Sequence, residues 1–160
     1  MKRVFVLLAV AAAVVPAAAL SGNRSEQSRP SGGSATDAAQ MRALTLTLRN
    51  TRYGRILFDG KNRVLYGFTR DRRGGPSRCY GACAAAWPVY YSRGSLKAGR
   101  GVKQSLLGTV RRRDGRRQIT YNGWPLYYYA HEGPGEVKCQ NVREFGGLWL
   151  VVKPSGRLLS

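Results

Sequence analysis

The feature that most constrains this 160-residue chain is an internal repeat. Val64-Leu65-Tyr66-Gly67-Phe68 aligns with Pro125-Leu126-Tyr127-Tyr128-Tyr129 at an offset of 61, which also carries Asp71 onto Glu132 and Gly74 onto Gly135. Cys79 falls on Cys139 at an offset of 60, and Trp87 and Val89 fall on Trp149 and Val151 at 62. Upstream, Ile56-Leu57-Phe58 before Asp59-Gly60 aligns with Ile119-Thr120-Tyr121 before Asn122-Gly123. Self-similarity at a fixed period marks copies of one supersecondary unit. The units run from about 53 to 91 and from 114 to 153. Neither is expected to fold alone, because an isolated hairpin is marginal in water.

Each unit reads as a β-hairpin, with aromatic and β-branched residues on either side of turn formers. Asn122-Gly123 is a strong type I′ signal, since both central positions need positive φ. Asp114-Gly115 lies between Gly108-Thr109-Val110 and Arg117-Gln118-Ile119 in the same way. Alternation along a strand puts Leu126 and Tyr128 on one face and Tyr127 and Tyr129 on the other. Leu44 to Leu48 supplies an early strand, and Leu148 to Lys153 a closing one before Pro154. One short helix is expected from about Tyr80 to Ala86, with Pro88 as its stop. The fold class is therefore mainly β: two hairpin-based repeats with pseudo-twofold symmetry, one short helix and long loops.

Before the repeat comes a segment of another kind. Lys2 and Arg3, the apolar run Val4 to Val15 and Ala17-Ala18-Ala19 make residues 1–19 a cleavable export signal. The run is short for a membrane span, so no transmembrane segment is expected in the mature chain. Residues 20–41 are rich in Ser, Gly, Ala and Arg and lack aromatics, the composition of a flexible linker. Asn23 stands where a lipidated cysteine would be needed, which predicts a secreted or envelope-associated protein without a lipid anchor. The folded domain is expected at 42–160.

Charge is the strongest global feature. The chain carries +19, and losing Lys2 and Arg3 leaves +17, with arginine supplying 21 of the 27 basic residues. Such an excess attracts polyanions. The candidates for a polyanion surface are Arg70, Arg72, Arg73, Arg111, Arg112, Arg113, Arg116 and Arg117. Export favours an anionic envelope polymer or a membrane surface over nucleic acid. An ordinary solvated face, arising from genome composition, explains the same count.

Tyr66-x-Phe68-x-x-Asp71, Ser77-Arg78-Cys79-Tyr80-Gly81-Ala82-Cys83-Ala84 and Trp87-Pro88 resemble a family of exported bacterial proteins, the secreted repeat or YxFxxD lipoprotein family. Arg113-Asp114-Gly115, Gln118-Ile119-Thr120-Tyr121, Pro125-Leu126-Tyr127, Gly135-Glu136 and Gly146-Gly147-x-Trp149 continue the resemblance, which spans about 53–157. It implies a small envelope protein of no established activity. This chain departs from the pattern in lacking the lipidation cysteine and in carrying Tyr129 and Glu132 for Phe68 and Asp71. Cys139 and Asn141 stand where the family usually has glycine.

Candidate chemistry is sparse. His131, the single histidine, sits in a Gly/Pro-bounded loop without a Gly-x-Ser-x-Gly elbow, and reads as a surface residue ahead of a base. Asp71 and Glu132 are one conceivable acid/base pair, but carboxylates at these places more often cap turns or pair with arginine. Tyr66, Phe68, Trp87, Tyr127, Tyr129 and Trp149 recur as a shared core, whereas Tyr90, Tyr91, Tyr121 and Tyr128 are free to form a stacking surface. No phosphate loop, dinucleotide fingerprint or EF-hand occurs, so no cofactor is expected.

The three cysteines leave several pairings open by spacing: Cys79–Cys83, a staple from either to Cys139, or a metal site with His131. The resemblance favours Cys79–Cys83, because both match its motif. Cys139 is then a partly exposed free thiol able to link two chains. These readings lead to a non-enzymatic envelope module that binds anionic wall polymer or lipid headgroups. The alternative is an extracellular enzyme or thiol redox protein using Cys79/Cys83, His131 or Asp71/Glu132.

Overall fold

A computed structural model describes residues 35–43 and 45–160. The export signal, its cleavage site, Leu44 and the linker up to residue 34 lie outside the described residues. The last part of the linker forms α1, Ala35–Arg42, built from good helix formers with Asp37 in its first turn. Its residues 35–40 are exposed.

The rest is mainly β, in three antiparallel sheets. Strands β1 (Thr47–Thr51) and β2 (Gly54–Phe58) form a hairpin. Strand β3 (Tyr66–Phe68) pairs with β8 (Gly147–Val151), which also pairs with β7 (Val142–Glu144). Strands β4 (Leu107–Arg111), β5 (Arg117–Tyr121) and β6 (Trp124–Pro125) make the third sheet. The β5–β6 turn is the expected type I′, with Asn122 at φ 49° and Gly123 at φ 77°. Gly123 is required twice over, since a Cβ there would lie 2.7 Å from the backbone nitrogen of Gly74.

Strands near the centre are apolar on both faces because both faces are covered. Ile56, Phe58, Val64, Tyr66, Phe68, Tyr127 and Val151 enter one core, with both buried tryptophans and all three cysteines. Leu57, Leu65, Leu126 and Val152, alternating with them along the chain, enter a second core with Leu46, Ile119 and Tyr121. Period-two alternation thus divides two cores, and the apolar runs read as unbroken.

The helix is shorter than expected. It covers Ala82–Ala86, because Gly81 before it sits at φ 55°, ψ −128° and cannot continue a helix back to Tyr80. Gly81 has a counterpart sixty residues on: Asn141, at φ 63°. Asparagine is among the non-glycine residues that best tolerate this region, so Asn141 holds the positive φ that Gly81 holds in the first copy. From there the copies diverge, helix α2 in the first and the β7–β8 hairpin in the second. The β7 strand had no sequence expectation.

Backbone pairing corrects the upstream alignment by one residue. Leu57 donates to Val152 O at 2.9 Å and Ile119 donates to Tyr90 O at 2.8 Å, which makes Leu57, rather than Ile56, the counterpart of Ile119. The turn from Asp59 to Arg63 is longer than Asn122-Gly123, and this absorbs the shift.

Candidate functional site

Tyr66 and Tyr127 meet at the junction of the repeats. The N–H of Tyr66 donates to Tyr127 O at 2.9 Å, and the N–H of Tyr127 donates to Tyr66 O at 3.0 Å. Each hydroxyl crosses to the other repeat's acid. Tyr127 donates to Asp71 Oδ2 at 2.5 Å and Tyr66 donates to Glu132 Oε1 at 2.8 Å. Backbone N–H groups of Arg78 and Lys138, themselves counterparts, complete the two carboxylates. Burial raises the pKa of both acids above the ordinary carboxylate value, and the hydrogen-bond donors temper the rise.

The aromatic core follows the same scheme. Trp87 and Trp149 stack at 3.9 Å with planes 2° apart. Phe68 covers Trp149 at 4.1 Å and Tyr129 covers Trp87 at 4.9 Å, so side chains of each repeat cap the other's tryptophan.

Two further carboxylates hold aromatic donors. Asp59 accepts from Tyr128 Oη at 2.9 Å and from the N–H groups of Lys61 and Arg63. Glu144 accepts the indole N–H of Trp87 at 2.8 Å. Asp114 and Glu136 pair at the surface with Arg116 and Lys138. All six carboxylates after residue 45 are therefore engaged.

The proposed acid/base residues have separate surroundings. Asp71 and Glu132 are buried against different tyrosines, and His131 is exposed with its ring edge-on to Tyr129 at 5.5 Å. None of the three lines the clefts described below.

Cys79 and Cys83 are joined by a disulfide with Cα atoms 5.2 Å apart. Gly81, at φ 55°, interrupts the regular helical geometry between them. Cys139 is free, but it departs from expectation: it is 7% exposed, within the aromatic core. Its position matches that of the buried Cys79, and the loop after Gly135 carries it inward. Among the described residues, no group of three or more His, Cys, Asp or Glu side chains is placed to hold a metal. No described helix is long and apolar enough to cross a membrane.

Of the arginines proposed for polyanion binding, Arg70, Arg72, Arg73, Arg111, Arg113, Arg116 and Arg117 are exposed. Arg112 is not. It is 4% exposed and donates to Gln118 Oε1 and Cys79 O, each at 2.7 Å, with its guanidinium over the Tyr80 ring. Here it ties the β4–β5 turn to the disulfide loop. Arg70 and Arg73 have local partners at the surface, Phe145 O and Asn122.

Three of the four tyrosines left free by the repeat line clefts. A cleft of about 400 Å³ opens between the Asp59–Arg63 turn and the loop bearing Tyr90, Tyr91 and Arg93, with Tyr128 in its wall. Tyr91 and Gly94 separate it from a more open cleft lined by Ser92, Arg116 and Arg117. Tyr121 is fully buried and donates to Pro154 O, so it takes no part. The sequence did not single out Lys61, Arg63 or Arg93. Each lies in a loop, and only the fold brings them to one place.

The architecture defines a class: a mainly β protein of several antiparallel sheets with short helices, in which the six side-chain carboxylates after residue 45 are engaged. The family follows from comparison. A family model described as a secreted repeat of unknown function (Lipoprotein_15) matches residues 47–90 and again 108–153, more than half of the chain, and the protein belongs to that family. No curated protein and no solved structure matches the chain.

Proposed function

We propose that this protein is a non-enzymatic module of the cell envelope that binds anionic polymer or lipid headgroups through its basic surface. One observation carries the reading. The six side-chain carboxylates after residue 45 are turned inward onto tyrosine and tryptophan donors or paired with a basic neighbour, while seven of the eight proposed arginines are exposed. A field of one sign is thereby left at the surface, where it steers polyanions. The working unit is residues 42–160, two hairpin repeats about a pseudo-twofold axis between Tyr66 and Tyr127. Their exchanged hydrogen bonds support that axis. Retention in the envelope is by charge, with no lipid.

The test is retention of the secreted protein on isolated cell walls. Native protein is retained at low salt. A variant with Arg111, Arg113, Arg116 and Arg117 changed to glutamine elutes earlier in a salt gradient. Identical elution of the two, or retention indifferent to salt, contradicts the reading.

A further inference from the structure

We propose that the two clefts flanking Tyr91 form a single binding site for successive anionic groups of a hydroxylated chain, a sugar or polyol polymer bearing phosphate or carboxylate. This rests on the polyanion reading and narrows it from a diffuse surface to one place.

Two guanidinium groups lie over tyrosine rings there. Arg63 lies over Tyr128 at 4.2 Å and Arg116 over Tyr91 at 4.0 Å. Each ring has a hydroxyl partner: Tyr128 donates to Asp59 at 2.9 Å, and Tyr91 donates to Asp114 at 3.5 Å. Arg63 is further anchored by the carbonyls of Tyr129 and Glu132. A planar fork held in place loses less freedom on meeting an oxyanion, which favours bidentate recognition of phosphate or carboxylate. Lys61 and Arg93 are exposed beside Arg63, and Arg117 is exposed beside Arg116. The result is a cationic station on each side of Tyr91: Lys61, Arg63 and Arg93 on one, and Arg117 on the other, where Asp114 already accepts from Arg116 Nε and Nη2. Asp59 and Asp114 are the carboxylates near them. The first is bonded to Tyr128 and two backbone N–H groups, and the second is paired with Arg116.

The second repeat gives independent support. On the matching side, its corresponding turn, Asn122-Gly123, is covered by the chain that follows β8. Asn122 donates to Ser155 O, Tyr121 donates to Pro154 O, and a Cβ on Gly156 would lie 2.2 Å from Asn122 Cβ. The fold can therefore fill this space, and does so in one copy. In the other copy it stands open between Lys61, Arg63 and Arg93, with Tyr90 where the closed copy has Val152. A third cleft borders the other side of Asn122-Gly123, lined by Arg73, Gly74, Ser105 and Leu106, and it holds no tyrosine. The ligand of the site flanking Tyr91 has spaced anionic groups, because the stations lie on either side of a ring.

The experiment measures affinity for three probes at fixed ionic strength: poly(glycerol phosphate), polygalacturonate and single-stranded DNA. Two pairs of substitutions remove the same charge, Lys61→Ala with Arg93→Ala in the cleft and Arg72→Ala with Arg157→Ala outside it. All four side chains are exposed, so the cores are untouched. The site predicts tight binding of one or both glycopolymers, about tenfold or more weaker in the cleft pair and changed less than about twofold in the outer pair. Which polymer binds identifies the anionic group. Equal losses in both pairs overturn the cleft while leaving the polyanion reading intact. DNA binding as tight as the glycopolymers overturns the ligand class. Failure of native protein to bind any probe at low salt overturns both proposals.

Discussion

Tyr66 and Tyr127 exchange both backbone hydrogen bonds, at 2.9 and 3.0 Å, while each hydroxyl ends on the acid that follows the other tyrosine in sequence. Each repeat gives its own acid a backbone N–H and relies on the other repeat for the hydroxyl donor. Deleting one hydroxyl leaves a buried carboxylate short of a donor. Tyr66→Phe and Tyr127→Phe are each expected to lower stability by about 1–3 kcal/mol. Denaturant titration checks this, and a loss within error of zero in both variants contradicts the interlock.

Acid should favour the fold through these same groups. Burial, outweighing their donors, raises the folded-state pKa of Asp71 and Glu132. A group whose pKa is raised on folding stabilises fully below its unfolded value, about 4, and loses that contribution as pH climbs through the folded value. Exposed Asp114 and Glu136 are shifted the other way by Arg116 and Lys138, so their solvent-screened contributions fade as pH falls. The comparison with Glu132→Gln isolates one buried acid. On going from pH 7 to about pH 4, the melting temperature of the native protein should gain on that of the variant. A native protein that loses ground on acidification has the opposite linkage.

Much of this architecture is legible in the chain. The recurrent Tyr66, Trp87, Tyr127 and Trp149 mark the shared core because large aromatics have few other places in a small domain. Asn122-Gly123 fixes its turn locally. What escapes sequence reading is contact at long range. The hydroxyl of Tyr127 reaches an acid 56 residues back, and nothing in a period of 61 says which copy's acid it meets. Arg112 is hidden in a run of three arginines because charge counting does not show which stem turns inward. The clefts beside Tyr91 draw on three separate loops, so no local motif announces them.

Cys139 is expected to be silent in the folded protein. Burial first, and then the charges of Glu132 and Glu144, push its thiol up to about 11, leaving little thiolate at neutral pH. Iodoacetamide should modify one thiol per chain only after unfolding, and peptide mapping without reductant should recover Cys79 joined to Cys83. Rapid labelling of native protein, or a disulfide-linked dimer, contradicts this placement.

Phe145 is a correctable strain. It occupies the first central position of the β7–β8 turn at φ 53°, ahead of Gly146 at φ 77°, and is 40% exposed. This is the type I′ geometry in which asparagine is preferred. Phe145→Asn should raise stability by about 0.5–1 kcal/mol. A loss of about 1 kcal/mol or more shows instead that the ring contributes packing greater than the backbone cost.

The most direct test of a basic surface left uncompensated by inward-turned acids is the salt dependence of binding. Residues 42–160 are titrated with soluble poly(glycerol phosphate) in a calorimeter at increasing sodium chloride. The account predicts measurable binding at low salt, with affinity falling steadily as screening shortens the reach of the surface charges. Affinity that stays flat across the series, or no binding at the lowest salt, contradicts it.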